Sequence, residues 1–266
     1  MSLSCLLGYI PDDEDKRDLE FETIKHRFSL ENVFFSTTKI SSHHSSIQIP
    51  VWRTPRMQVG NSCVANAWCM ALEILSDHNP TGPRLPKLSA QHLYWCARHY
   101  DGGAHLDQGT RLRSAAKTLW TLGVCSSTDC PDDSERLLVQ PNASSFMRAY
   151  DARIHGYYRI DASNLDDAEL AITACHPVVM GVPVGSEFIS YAAPSKDALD
   201  VALSPPTTTL GYHALCVVGV RFKDGERQWK IVNSWGDKWG DYGFAWLTES
   251  YLSLAKDMWV ATQSPY

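Results

Sequence analysis

A thiol, an imidazole and a carboxamide are the groups in this chain best placed to do chemistry together: Cys63, His213 and Asn233. Cys63 lies where a turn becomes a helix. Gly60 and Asn61 are turn formers, Asn61 and Ser62 are good N-caps, and Val64, Ala67, Met70, Ala71, Ile74 and Leu75 recur at helical spacing. In the first turn of such a helix, unpaired N–H groups and the positive end of the dipole favour a thiolate, the nucleophilic form of cysteine. Local sequence is equally compatible with a buried, inert cysteine, so the weight falls on what accompanies it. His213 sits in Gly211-Tyr212-His213-Ala214-Leu215-Cys216-Val217-Val218-Gly219-Val220, which reads as a buried strand. A turn at Lys223-Asp224-Gly225-Glu226 leads to a second strand, 228–232, which runs into Asn233. Paired across that hairpin, His213 and Asn233 become neighbours. A thiolate that attacks a carbonyl, an imidazolium that protonates the leaving group and an amide that orients the imidazole together amount to acyl transfer through a thioester.

The residues around these three resemble a known family. Gln58, Cys63 and Ala65 at the helix start, Gly211-x-His213-Ala214 on a strand, and Asn233-Ser234-Trp235-Gly236-x-x-Trp239-Gly240-x-x-Gly243-Phe244, in the order Cys, His, Asn, are similar to papain-family (C1-type) cysteine peptidases. In style the chain looks closest to bacterial and other non-lysosomal members. The resemblance implies an α+β, papain-like two-lobe fold: a helical lobe, then an antiparallel β lobe, with the active cleft between them. It implies Cys63 as nucleophile, His213 as acid and base, Asn233 as the orienting group and Trp235 as the shield of that contact. The oxyanion would be held by the Cys63 backbone N–H and the Gln58 side-chain amide. Gly109 and Thr110 would offer their backbone to substrate as to an added strand. Leu112, Gly181 and Ala214 would line the pocket for the second residue before the cut, with Arg111 at its mouth reading first as a solvated helix-start charge. Two positions depart from the family pattern. Gln58 stands five residues before Cys63 where the family has six, Met57 being the sixth, and Val64 replaces the tryptophan common after the nucleophile.

Composition bounds the setting. The chain has 266 residues, 44% hydrophobic and 11% aromatic, enough to bury a sizeable core. A net charge of −6 argues against nucleic acid or anionic membrane as the main partner, and no apolar run is long enough to span a bilayer. The expected partner is a polypeptide substrate and the expected state a monomer. Eight scattered cysteines do not make a disulfide scaffold. Cys96 matches a family position that is often bridged, but Cys125 and Cys130 both remain as partners and no bridge is assigned. No Cys or His pair has metal spacing, and no metal or cofactor is expected. Residues 1–10 lack a basic start and meet Pro11-Asp12-Asp13-Glu14-Asp15 at once, unlike a secretory signal. With Gly60 where secreted relatives usually carry a cysteine, this favours a reducing, cytoplasmic location, the alternative being export by a route without a cleavable signal.

Along the chain, residues 1–48 read as an N-terminal leader, either a prosegment able to inhibit its own cleft or a strand that wraps the fold. Ile10, Leu19, Phe21, Ile24, Phe28, Leu30, Val33 and Phe34 are too many apolar groups for a loose tail, and a structural role is favoured by a small margin. Residues 49–266 form the catalytic domain, with a helical lobe over 49–144 and a β lobe over 145–266. Helices are expected from Cys63, over 90–99 with Ser89 as N-cap, over 112–122 and over 164–174. Strands are expected over 152–160, 177–184, 211–220, 228–232 and from Phe244. The stretch 186–209 reads as a long loop with a binding or lid role. The function favoured is a cysteine endopeptidase. A peptide ligase, cyclase or deamidase could use the same acyl-enzyme, and a non-catalytic peptide-binding module would have no need of all three groups in order.

Overall fold

The computed structural model describes residues 7–31, 46–80, 82–191 and 201–263. In chain order its helices are α1 (Lys25–Glu31), α2 (Cys63–Asp77), α3 (Ala90–Tyr100), α4 (Leu112–Thr121), α5 (Ala143–Ala149), α6 (Leu165–Thr173), α7 (Ser186–Ile189) and α8 (Glu249–Leu252). The strands are β1 (Ser46–Gln48), β2 (Gly156–Ile160), β3 (Val178–Val184), β4 (Gly211–Lys223), β5 (Glu226–Val232), β6 (Phe244–Thr248) and β7 (Asp257–Thr262). Helices α2 to α4 make one lobe. The strands make one antiparallel sheet in the order β2-β7-β3-β4-β5-β6, with β1 on the far half of β4. This is the α+β, two-lobe architecture the resemblance implied.

Helix α2 is the axis of the molecule. Every residue from Cys63 to Ser76 is buried, because one face meets α3 and α4 while another meets β4. Trp68 ties it to α4 by donating Nε1–H to the Leu112 carbonyl at 3.1 Å. Inside the same helix Glu73 accepts from Arg56 Nη1 at 2.6 Å and from the Leu88 N–H at 2.6 Å. Arg56 Nε also donates to Asn66 at 3.1 Å. A buried pair of this kind is expensive to break by halves, so it fixes the loop before α2 to the helix.

The β4–β5 hairpin turns at Asp224 and Gly225, both at positive φ (55° and 87°), as a two-residue turn requires. Strand β3 lies on the other side of β4, with Gly181 opposite Ala214 and Val182 opposite His213.

Several expectations need adjustment. The strand expected over 152–160 begins only at Gly156, since 150–152 form a 3-10 turn, and the stretch 186–209 opens with α7. Residues 192–200 of that stretch lie outside the described residues, as do Val33 and Phe34. Helix α5 and strand β7 were not anticipated. The boundary at 48 cuts just after β1, which pairs with β4 and so is part of the sheet.

The leader does two things. Residues 21–28 pack on the β lobe: Phe21 and Phe28 are buried edge to face at 4.7 Å, Phe28 rests on His176 at 4.5 Å, and α1 lies against α6. Residues 7–12 cross to the junction of the two lobes.

Candidate active site

Cys63 is the first residue of α2, and the loop before it is tied down from below. Asp107 accepts the Asn61 N–H at 3.1 Å and the Tyr94 hydroxyl at 2.7 Å, and the Tyr94 oxygen accepts the Gly109 N–H at 3.0 Å. One carboxylate therefore sets both the nucleophile turn and the edge at Gly109. Ser62 occupies the N-cap position but makes no side-chain cap; its hydroxyl donates to the Val59 carbonyl at 2.7 Å and accepts from Asn66. The N–H groups of Cys63 and Val64 are left to face the Cys63 sulfur, together with those of Ala214 and Gly8. These donors favour the thiolate. Burial outweighs them: Cys63 is fully enclosed, and its thiol is pushed up to about 11. The depressed pKa expected from position alone is thus absent while the cleft is covered.

His213 and Asn233 are joined as the hairpin predicted, His213 Nε2 to Asn233 Oδ1 at 2.7 Å. The same oxygen accepts the Ser234 N–H at 2.7 Å, which fixes which way the amide points. An amide oxygen only accepts, so Nε2 carries the proton and Nδ1 is the nitrogen left for proton exchange. Trp235 covers the imidazole with ring centroids 4.6 Å apart, and Phe188 and Trp239 back it.

Gln58 is buried while Met57 is exposed, so the glutamine takes the inward place despite the shortened spacing. Its Oε1 accepts the Ser234 hydroxyl at 2.7 Å and its Nε2 donates to the Gly60 carbonyl at 2.8 Å. Ser234 therefore links the glutamine to the asparagine.

Residues 7–12 lie in the cleft. Thr110 pairs with Tyr9 as a parallel bridge: its N–H donates to the Gly8 carbonyl at 2.9 Å, and its carbonyl accepts the Ile10 N–H at 3.0 Å. The Gly109-Thr110 edge is thus paired with an added strand, and that strand is the chain's own. Tyr9 is buried against Gly181, at which a methyl group would collide with its ring. Tyr212 meets it edge on, and the Tyr9 hydroxyl donates to Asp257 on β7. Gly8 packs so closely on the Asn61 carbonyl that it has no room for a side chain. It turns its N–H toward the Cys63 sulfur, while its carbonyl is held by Thr110. Arg111 is not simply solvated. It pairs with Asp13 of the leader at 3.2 Å and with Asp101 at 3.7 Å.

Comparison with known proteins agrees with this geometry. A family model described as papain family cysteine protease matches residues 51–261. The chain belongs to this family. As a papain-family member it is a thiol peptidase, a hydrolase. It is 27% identical to a peptidase C1-like protein of Acanthamoeba polyphaga mimivirus, covering 97% of this chain and 87% of that one. It is also 27% identical to a cathepsin L-like proteinase of Phaedon cochleariae, over 87% of this chain and 68% of the relative. Among solved structures, xylellain, a cysteine protease from Xylella fastidiosa, superposes with a TM-score of 0.77 at 24% identity, covering 98% and 97% of the two chains. A procathepsin B from Trypanosoma congolense gives 0.71 at 18% identity, covering 97% and 87%.

At this papain-family cleft the sequence assigned no role to Tyr9, Asp107, Ser234 or Asp257. Asp257 opens the run Met258-Trp259-Val260-Ala261, whose apolar character could have marked β7. Its partner Tyr9 is 248 residues away, and nothing local announces the pair.

Proposed function

We propose that the chain is a cysteine endopeptidase acting through Cys63, His213 and Asn233, and that residues 7–12 inhibit it in place. The observation that carries the catalytic reading is the 2.7 Å bond from His213 Nε2 to Asn233 Oδ1 on a strand whose next residue, Ala214, turns its N–H toward the Cys63 sulfur. In the reaction, His213 Nδ1 takes the Cys63 proton and the sulfur attacks the peptide carbonyl. The oxyanion is held by the Cys63 N–H and the Gln58 amide, the latter steadied through its Oε1 by Ser234. His213 returns the proton to the departing amine, leaving an acyl-thioester, and water activated by the same imidazole hydrolyses it. Thr110 aligns the substrate backbone, and the pocket of Leu112, Gly181 and Ala214, floored by Asp257, takes one side chain.

Inhibition follows from what the leader presents. A peptide is cut only if its carbonyl carbon reaches the sulfur. Gly8 offers an N–H there, and its own carbonyl is turned to Thr110, so the Gly8–Tyr9 bond is kept from the sulfur while the leader fills the cleft. A cytoplasmic, reducing location suits Cys63, Cys69, Cys96, Cys125, Cys130 and Cys216, all unbridged.

The test is a panel of peptides incubated with the full chain, with its Gly8→Ala variant and with Cys63→Ala, followed for cleavage, ligation and ammonia release. Cleavage by the first two, faster in Gly8→Ala and absent in Cys63→Ala, is the expected result. Ligation or ammonia release in place of cleavage, or equal cleavage in all three, would reject the reading.

A further inference from the structure

Asp257, the first residue of β7, is buried, and its two oxygens have different kinds of partner. Oδ1 accepts from Nη2 of Arg159 on β2. Oδ2 accepts the Tyr9 hydroxyl and, at 2.8 Å, the Asp12 N–H. Among the described residues, Oδ2 thus takes its donors from the cleft segment of the leader alone. The Arg159 side does not depend on that segment. The Arg159 backbone N–H donates to the Leu19 carbonyl at 2.7 Å and its Nη1 to Asp18 at 3.1 Å, while Asp18 also receives Nε and Nη2 of Arg113, each at 2.7 Å. When residues 7–12 leave, two guanidinium groups and two carboxylates stay paired, and their charges balance.

The freed oxygen stands at the end of a slot made for a flat ring. Gly181 on β3 is the register partner of Asp257, and a Cβ on it would come within 2.1 Å of two Tyr9 ring carbons. Tyr212 closes the slot with its centroid 6.4 Å from that of Tyr9. A peptide paired with Thr110 in place of the leader sets one side chain here, and Oδ2 has no donor unless that side chain brings one. Phenylalanine fills the slot and leaves a buried charged acceptor unpaired, which costs more than the bond itself is worth in water. Lysine or arginine brings donors, but it must shed its water for a floor whose charge Arg159 already offsets. A carboxylate side chain would meet Asp257 head on. A phenol supplies the ring and one donor, with no charge to desolvate.

We infer that Asp257, its charge offset by Arg159, makes the Gly181 pocket selective for tyrosine as the second residue before the cut. The pocket prefers this neutral ring with a terminal donor to phenylalanine, and also to lysine or arginine. The inference rests on the peptidase reading, and Tyr9 is then the leader's copy of the substrate side chain.

Three fluorescent peptides that differ only in Tyr, Phe or Lys at that position test it. Their kcat/KM ratios are measured on the full chain, and their relative binding by anisotropy on full-chain Cys63→Ser, where nothing is cut. The seated leader competes with all three alike, so the ratios are independent of how much leader is displaced. The Tyr peptide is expected to be favoured over each of the others about tenfold in both readouts, the scale of one hydrogen bond to a charged acceptor. The Tyr-to-Phe ratio should fall to about one in Asp257→Ala. If that variant does not fold, Tyr9→Phe reads the same bond from the leader's side, and Cys63 should then alkylate several-fold faster. Equal ratios, a preference for Lys, a Tyr preference that survives Asp257→Ala, or an unchanged alkylation rate in Tyr9→Phe would overturn the inference. If no peptide is cut, the peptidase reading fails and the binding ratios alone judge the pocket.

Discussion

An imidazole held by an amide oxygen is oriented by a neutral partner, because Asn233 brings no charge to His213. Its contribution is therefore positional, and the substitutions should grade accordingly. Cys63→Ser and His213→Ala are expected to abolish turnover in a folded protein. Asn233→Ala should leave measurable turnover, and Gln58→Ala should lower kcat by roughly 10²-fold, the usual loss for one oxyanion donor. Unchanged kcat in Gln58→Ala would mean that the oxyanion is held elsewhere. Asp12 supplies a pH dependence. Burial and the Asp257 carboxylate push it from 3.8 up to about 7, against the pull of Arg113 and the Trp259 N–H, with Tyr9 and Arg159 also bound to Asp257. The seated leader thus holds a proton that the displaced leader gives up. Asp12's contribution to seating is fully present below about pH 4 and is lost as pH rises through about 7. Alkylation of Cys63, measured as a ratio to the Gly8→Ala protein so that thiol ionisation cancels, should rise between about pH 4 and 7 and level off above. Asp12→Asn should flatten that rise. At this scale the sequence was legible wherever a residue sat inside its own motif, as Cys63, His213, Asn233 and Gln58 do. It was silent on Tyr9 and Asp257, whose meaning exists only once the two ends of the chain meet.

The element that decides access is the short leader strand against Thr110. Its fit depends on Gly8, where a Cβ would collide with the backbone carbonyl of Asn61, which cannot swing aside like a flexible side chain. Gly8→Ala should therefore unseat the strand while leaving α2 and the β4–β5 hairpin intact. Cys63 should then alkylate at least tenfold faster, in line with the exposure of a thiol now fully enclosed. An unaltered rate would mean that the strand is not what covers the sulfur. The legible elements were those with strong local grammar: the turn and apolar face before and along α2, the Ser89 cap of α3, and the Asp-Gly turn of the hairpin. Strand β7 escaped because it is buried on both faces and shows no alternation, and α5 because two turns of ASSFMRA carry little periodicity.

For the molecule as a whole, the leader both supports the β lobe and covers the cleft, so length of truncation should separate the two effects. Removing residues 1–12 should raise turnover with little change in Tm. Removing 1–40 should also strip Phe21 and Phe28 from the core and lower stability, and Phe28→Ala alone should cost about 3 kcal/mol in denaturant unfolding. Stability that survives the longer truncation would show that the α1 contact is idle. Because Gly8 and Cys63 belong to one chain, the cover does not obey the law of mass action between molecules. Dilution cannot release it. A substrate must compete with a tethered segment whose local concentration is on the order of millimolar, whatever the amount of protein present. Such a cover scales down the turnover of all competing peptides by one common factor, so what it sets is the peptide level at which cutting begins, and not which peptide is cut first.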